Sequence, residues 1–256
     1  MLISLALGLA QAADITLDSS EGVQLAADYE AVSGATTGVV LVHMEKRKAA
    51  DWRFLSARLN RAGFTTLAVD LRGHGDNIPE GESKPTLTDD DYAAMTDDVR
   101  AAVLYLREKG LDQVALIGAG VGANLAAQVA AREEAVSNLV MLSPGLELKG
   151  VASGEAVKSY GDRPMLIVVS DNDTYAAKSS LVLDGSAQGP HHLEVLTAAG
   201  QGTKMLNNAP ELEPTIEGWL LGNHAALASA GNAGIAPTVE GDTTGVETDG
   251  KTMNEK

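Results

Sequence analysis

From residue 14 the chain alternates short runs of aliphatic and β-branched residues with longer stretches whose apolar positions recur every three or four residues. The first kind of run suits a buried strand and the second an amphipathic helix. Their alternation predicts an α/β fold, a mostly parallel central sheet with helices on both faces. The start predicts an antiparallel hairpin over 15–17 and 23–32. Further strands are expected over 38–43 (GVVLVH), 64–70, 114–117, 139–142, 165–169 and 193–196. A helix over 50–62 places Trp52, Leu55 and Leu59 on one face and ends at Gly63 as a left-handed cap. A second over 92–109 carries Met95, Val99, Ala102, Val103 and Leu106 at helical spacing and closes at Gly110. Others are expected over 121–132 and near 175–181, with a last one turning Leu212, Ile216, Trp219 and Leu220 inward. Residues 71–91 read as a polar loop, in which Asp89, Asp90 and Asp91 complement the dipole of the helix that follows. No internal repeat is visible, and no insertion after 139–142 is large enough for a lid domain, although residues 146–162 are placed to cover part of the crevice.

The two ends differ from this pattern. Residues 1–9 are apolar and Ala10-Gln11-Ala12 has the small-x-small form that signal peptidase accepts, but no basic residue precedes the run. Residues 1–12 are read as a signal-peptide remnant, which implies export to the periplasm or the exterior; the alternative is a packed N-terminal strand. The run is too short to span a bilayer, so no stable membrane anchor is expected. Residues 13–222 make one domain. Residues 223–256 contain no aromatic residue and many Gly, Thr, Ala and Asn with scattered acids. Such a segment buries too little apolar surface to offset its ordering entropy, so a disordered acidic tail is expected.

Composition narrows the function. A chain of 256 residues can bury one sizeable core. The net charge of −16, with no clustering of Lys and Arg in the text, argues against nucleic acid and against an anionic membrane surface. The absence of cysteine removes disulfides, thiolate nucleophiles and Cys-zinc sites. The five histidines lack ligand-like spacing except His191 and His192, which alternate across a strand, so neither a metal nor a cofactor is expected.

Three loops, each following a predicted strand, carry the candidate chemistry. Gly118-Ala119-Gly120-Val121-Gly122 lies between a strand and a helix, where a G-x-S-x-G elbow would hold a nucleophilic serine, but its centre is Gly120. The dinucleotide-binding alternative lacks the third glycine at its proper offset and an acid at the end of the next strand. Ser170-Asp171-Asn172-Asp173 and Ala199-Gly200-Gln201-Gly202 follow later strands, in the chain order nucleophile, acid, base.

With LVHM (41–44), AVDLRGHGD (68–76), ALIGAGVGANLA (115–126), LSPGL (142–146), RPMLIVVSDND (163–173) and AGQGTKML (199–206), the chain resembles the α/β-hydrolase superfamily, in particular its bacterial esterase and dienelactone-hydrolase-like branches, over residues 20–222. The resemblance implies an α/β-hydrolase fold and puts the nucleophile at Gly120, the acid at Asp173 and the base at Gln201, with the backbone amides of Met44 and Val121 as the oxyanion hole. Only the acid and the amides survive. Glycine offers no nucleophile, and a neutral amide does not take a proton near pH 7. Loss of a triad member leaves roughly 10³–10⁴-fold enhancement over water, from the oxyanion hole and binding alone. His43, at the end of the strand beside the elbow, and Ser143 are the other candidates for the crevice, and His74 reads as turn-shaping. The expected function is a catalytically degenerate hydrolase-fold protein that keeps a cleft for a small molecule. The alternatives are an active ester hydrolase with an unconventional site, through Ser143 or an Asp173-oriented water, and an interaction or structural protein.

Overall fold

The computed structural model describes residues 10–226. Eight strands form one sheet in the order β1-β2-β4-β3-β5-β6-β9-β10. β1 (Ala10–Asp18) and β2 (Gln24–Val32) form an antiparallel hairpin at one edge, and β2 runs antiparallel to β4 (Thr65–Val69). β3 (Thr37–Val42), β4, β5 (Gln113–Ala119), β6 (Val136–Leu142), β9 (Met165–Ser170) and β10 (His191–Leu196) are parallel. Every loop singled out for chemistry therefore leaves the same edge. The central strands are near-continuous apolar runs because both faces are covered.

β1 is longer than expected. Ala10 pairs with Val32 and Asp18 with Gln24, so Ala10-Gln11-Ala12 lies within a strand. Its first half, rich in Ala and Asp, carries too little hydrophobic alternation to announce itself. The other residues read as a signal remnant, 1–9, lie outside the described ones.

Helices cover both faces. α2 (Asp89–Glu108) and α3 (Val121–Ala130) pack with Leu67, Val69 and Leu116 on one side. α1 (Arg53–Arg61), entered through a 3₁₀ turn at Ala49–Trp52, and α7 (Leu212–Leu220) pack with Val39, Leu41 and Ile117 on the other. α2 starts earlier than its hydrophobic spacing indicated. Thr88 Oγ1 accepts from the Asp91 amide at 3.2 Å while the Asp91 carboxylate accepts from the Thr88 amide at 2.7 Å, a capping box that recruits the acidic run into the first turn.

Residues 146–162 fold into a two-stranded hairpin, β7 (Glu147–Leu148) and β8 (Val151–Ala152), and into α4 (Gly154–Tyr160). Buried Asn124 of α3 fixes this segment, donating to the carbonyls of Gly145 at 2.9 Å and Val151 at 2.7 Å. α5 (Thr174–Asp184) follows β9, and a short α6 (Lys204–Asn208) follows the base-position loop. The tail expected from residue 223 lies outside the described residues beyond Ala226. His224 is half-buried with its ring centroid 4.4 Å from that of Trp219. Among the described residues no helix is long and apolar enough to cross a membrane.

Candidate functional site

Gly120 sits between β5 and α3 at φ 54°, ψ −125°, a conformation that glycine adopts without a Cβ penalty. The elbow is held on both sides. The Gly120 amide donates to Leu142 O at 2.9 Å, and the Ala123 amide to Gly120 O at 3.0 Å. A Cβ on Gly118 would lie 2.3 Å from Gly122 O, and one on Gly122 would lie 2.4 Å from His43 O. The glycines around Gly120 thus let α3 pack against β5 and β3.

The nucleophile position is buried rather than open to a cleft. Met44, expected to offer only its amide, fills the space with its side chain. Its Cβ lies 3.0 Å from the point where a Cβ on Gly120 would stand, and its Sδ lies 2.6 Å from the corresponding point on Gly202. Among the described residues neither the Met44 nor the Val121 amide donates a hydrogen bond within the protein.

The loop bearing Gln201 is stitched to the neighbouring strands. Asp171 Oδ1 accepts from the Ala198 amide at 2.7 Å, Ser170 Oγ from Ala199 at 2.8 Å and Asn172 Oδ1 from Gly200 at 3.2 Å. Ser143 Oγ accepts from Gly202 at 2.9 Å. These contacts leave the Gln201 side chain exposed. Asp173 caps α5, its Oδ1 accepting from the Ala176 amide at 3.3 Å, while its Oδ2 is buried with no hydrogen-bond partner.

The other candidates are engaged in structure. His43 is fully buried. The Leu71 amide donates to its Nε2 at 3.0 Å, so the proton sits on Nδ1, which donates to Met44 O at 2.8 Å. Burial pulls its pKa down from 6.5 to about 4, so the ring is neutral with both nitrogens committed. Ser143 is buried at φ 51° with its hydroxyl on the Gly202 amide. His74 Nδ1 is 3.0 Å from Arg72 O and shapes its own turn. His191 and His192 begin β10, at the end of the sheet away from the elbow. Among the described residues no group of three His, Asp or Glu side chains converges to hold a metal ion.

Five of the surface cavities, of about 210–700 Å³, have no Gly120, Ser143, Asp173 or Gln201 in their lining. Where the cleft was expected, Met44 packs against Gly120 and Gly202, and Ser143 holds the Gly202 amide. One cavity of about 320 Å³ is lined by Lys46, Arg47, Lys48 and Lys84 with Asp51, Gly75 and Asp76. This corrects the expectation that cations do not cluster. Lys46-Arg47-Lys48 was visible in the text, but its meeting with Lys84 required the fold.

The alpha/beta hydrolase fold family profile matches residues 39–160, whereas no curated protein matches the chain significantly. Among solved structures, a dienelactone hydrolase from Anabaena variabilis superposes with a TM-score of 0.67 at 17% identity, covering 83% of this chain and 97% of that one. A Pyrococcus furiosus esterase superposes with a TM-score of 0.67 at 16% identity, covering 83% and 92%. The esterase domain of a Rhodothermus marinus protein does so with a TM-score of 0.63 at 18% identity, covering 82% and 97%. With its parallel sheet and its strand–elbow–helix turn, the chain has the α/β-hydrolase fold.

Proposed function

We propose that the chain is a catalytically degenerate member of the α/β-hydrolase superfamily, in which the scaffold of an ester hydrolase persists without its nucleophile and base. The observation that carries this reading is the elbow. Gly120 holds the sharp turn at φ 54°, ψ −125° with no side chain to react and with Met44 packed over it. Gln201, at the base position, is exposed and neutral. Asp173 is the remaining acid of the triad, its unpartnered Oδ2 the acceptor that a histidine at residue 201 would need. The amides of Met44 and Val121 are the remaining oxyanion donors.

The test is hydrolysis of a short-chain activated ester by the purified chain, beside Gly120→Ser/Gln201→His and the same variant carrying Met44→Gly. The third change matters because the Met44 Cβ stands 3.0 Å from the Cβ a serine would add. The expected outcome is a parent no faster than buffer plus general protein background, with measurable turnover appearing once Met44 is removed. A restored triad is worth on the order of 10³-fold or more over its disabled form. Steady turnover by the parent at the rate of an ordinary esterase would overturn the proposal.

A further inference from the structure

The cavity between the loop after β3 and the loop after β4 reverses the charge of the molecule. Four cations and two carboxylates line it, in a chain with 19 Lys and Arg against 35 Asp and Glu. One of its two acids, Asp51, is already engaged. Asp51 Oδ1 accepts from Arg47 Nη2 at 2.9 Å, and Asp51 Oδ2 from Thr203 Oγ1 at 3.2 Å. Asp76 meets Lys48 only at 3.8 Å, with both side chains more than half exposed. Lys46 Nζ is 3.4 Å from Glu45, whose same oxygen also faces Lys149 at 3.3 Å, so one carboxylate serves two ammonium groups. Lys84 has no ion pair among the described residues. Beneath the floor, the buried Asp70 carboxylate accepts from the Ala49 amide at 2.6 Å and the Asp76 amide at 2.7 Å, which spreads its charge into the backbone.

The cations sit on a braced support. Lys46 is held in the left-handed region at φ 62°, a conformation that disfavours a side-chain-bearing residue and persists only where the surroundings impose it. The Arg47 amide donates to Met44 O and the Asp51 amide to Lys48 O, both at 3.1 Å. A second cavity of about 210 Å³ shares Arg47 and Asp51 and adds Arg53, Thr203 and Asn207. The two make a continuous groove in which cations and hydrogen-bond donors outnumber apolar groups.

We propose that this groove is a binding site for a compact organic anion carrying two or more phosphate groups. Ammonium heads on flexible stems act as point charges that accommodate phosphoryl oxygens in many directions. The guanidinium of Arg47 is already locked in its fork with Asp51, so the planar pairing that selects a carboxylate is taken. The charged lining recognises the head of such a ligand rather than an apolar body. The site is independent of the elbow and of ester hydrolysis.

Calorimetric titration of the full chain with inorganic pyrophosphate and tripolyphosphate, at constant ionic strength, tests it, with sulfate as the comparator. Saturable binding is expected, tighter for tripolyphosphate than for pyrophosphate. It should weaken by about tenfold or more in Lys46→Gln/Lys48→Gln/Lys84→Gln. Lys109→Gln/Lys158→Gln/Lys178→Gln removes the same charge elsewhere and should bind as the parent does. Unchanged denaturation midpoints for both triple variants establish that each is folded. Absence of saturable heat with the parent, equal affinity for sulfate, or equal weakening in the two triple variants overturns the proposal.

Discussion

At the scale of single residues, the elbow separates two demands that one glycine-rich motif combines. Gly120 answers to a dihedral angle, whereas Gly118 and Gly122 answer to close approach. Gly122→Ala should lower stability by about 3 kcal/mol, because its Cβ would meet the carbonyls of His43 at 2.4 Å and Val42 at 2.6 Å and neither backbone can withdraw. Gly154→Ala, at the first residue of α4, meets nothing within 4 Å and should raise stability by up to about 1 kcal/mol. Urea denaturation midpoints of both variants check the contrast. His43 gives a pH-dependent counterpart. Its folded pKa of about 4 lies below its ordinary 6.5, so the unfolded chain takes the proton first. The stability from keeping this ring neutral is present in full above about pH 6.5 and is lost as pH falls toward 4, by roughly 3 kcal/mol. Denaturation midpoints between pH 7 and 4 should fall less steeply for His43→Gln than for the parent, and equal slopes would refute the assignment.

At the scale of elements, one buried ion pair joins three segments. The Asp98 side chain of α2 is fully buried and takes Arg72 Nη2 at 2.6 Å, the Arg72 amide at 3.0 Å and Ser19 Oγ at 2.7 Å. It therefore links the helix to the loop after β4 and to the turn of the first hairpin. Asp98→Ala should destabilise the chain by about 3 kcal/mol, since it leaves the largely buried Arg72 without its counter-ion; calorimetric unfolding reads this directly. Replacing both partners by apolar residues of similar size should recover most of the loss. Nothing in the text of residues 71–91 announces this pair, because Arg72 and Asp98 stand far apart in the chain and neither breaks its local pattern. Hydrophobic period located the helices, yet the start of α2 was decided by Thr88 and Asp91, two polar residues to which period is blind.

At the scale of the whole molecule, the sheet and its helical layers were legible because the central strands are buried, near-continuous apolar runs and the helices between them have clear faces. That the strand–helix turn centres on Gly120 and that Gln201 stands in the loop after β10 was legible as well, since motif positions are local. What fills the crevice was not. Met44 reaches Gly120 and Gly202 from a third loop, and the four side-chain acceptors that hold residues 198–202 come from the residue after β6, the last residue of β9 and the loop that follows it. Contacts between loops are set by strand order and register, and no periodicity reports them. The elbow itself has a further consequence. A serine at φ 54°, ψ −125° would store about 1–3 kcal/mol of backbone strain that glycine does not. The turn itself is held by the packing of α3 on β3 and β5, whatever residue stands at its centre. A serine placed at residue 120 would therefore lower the stability of the protein that carries it.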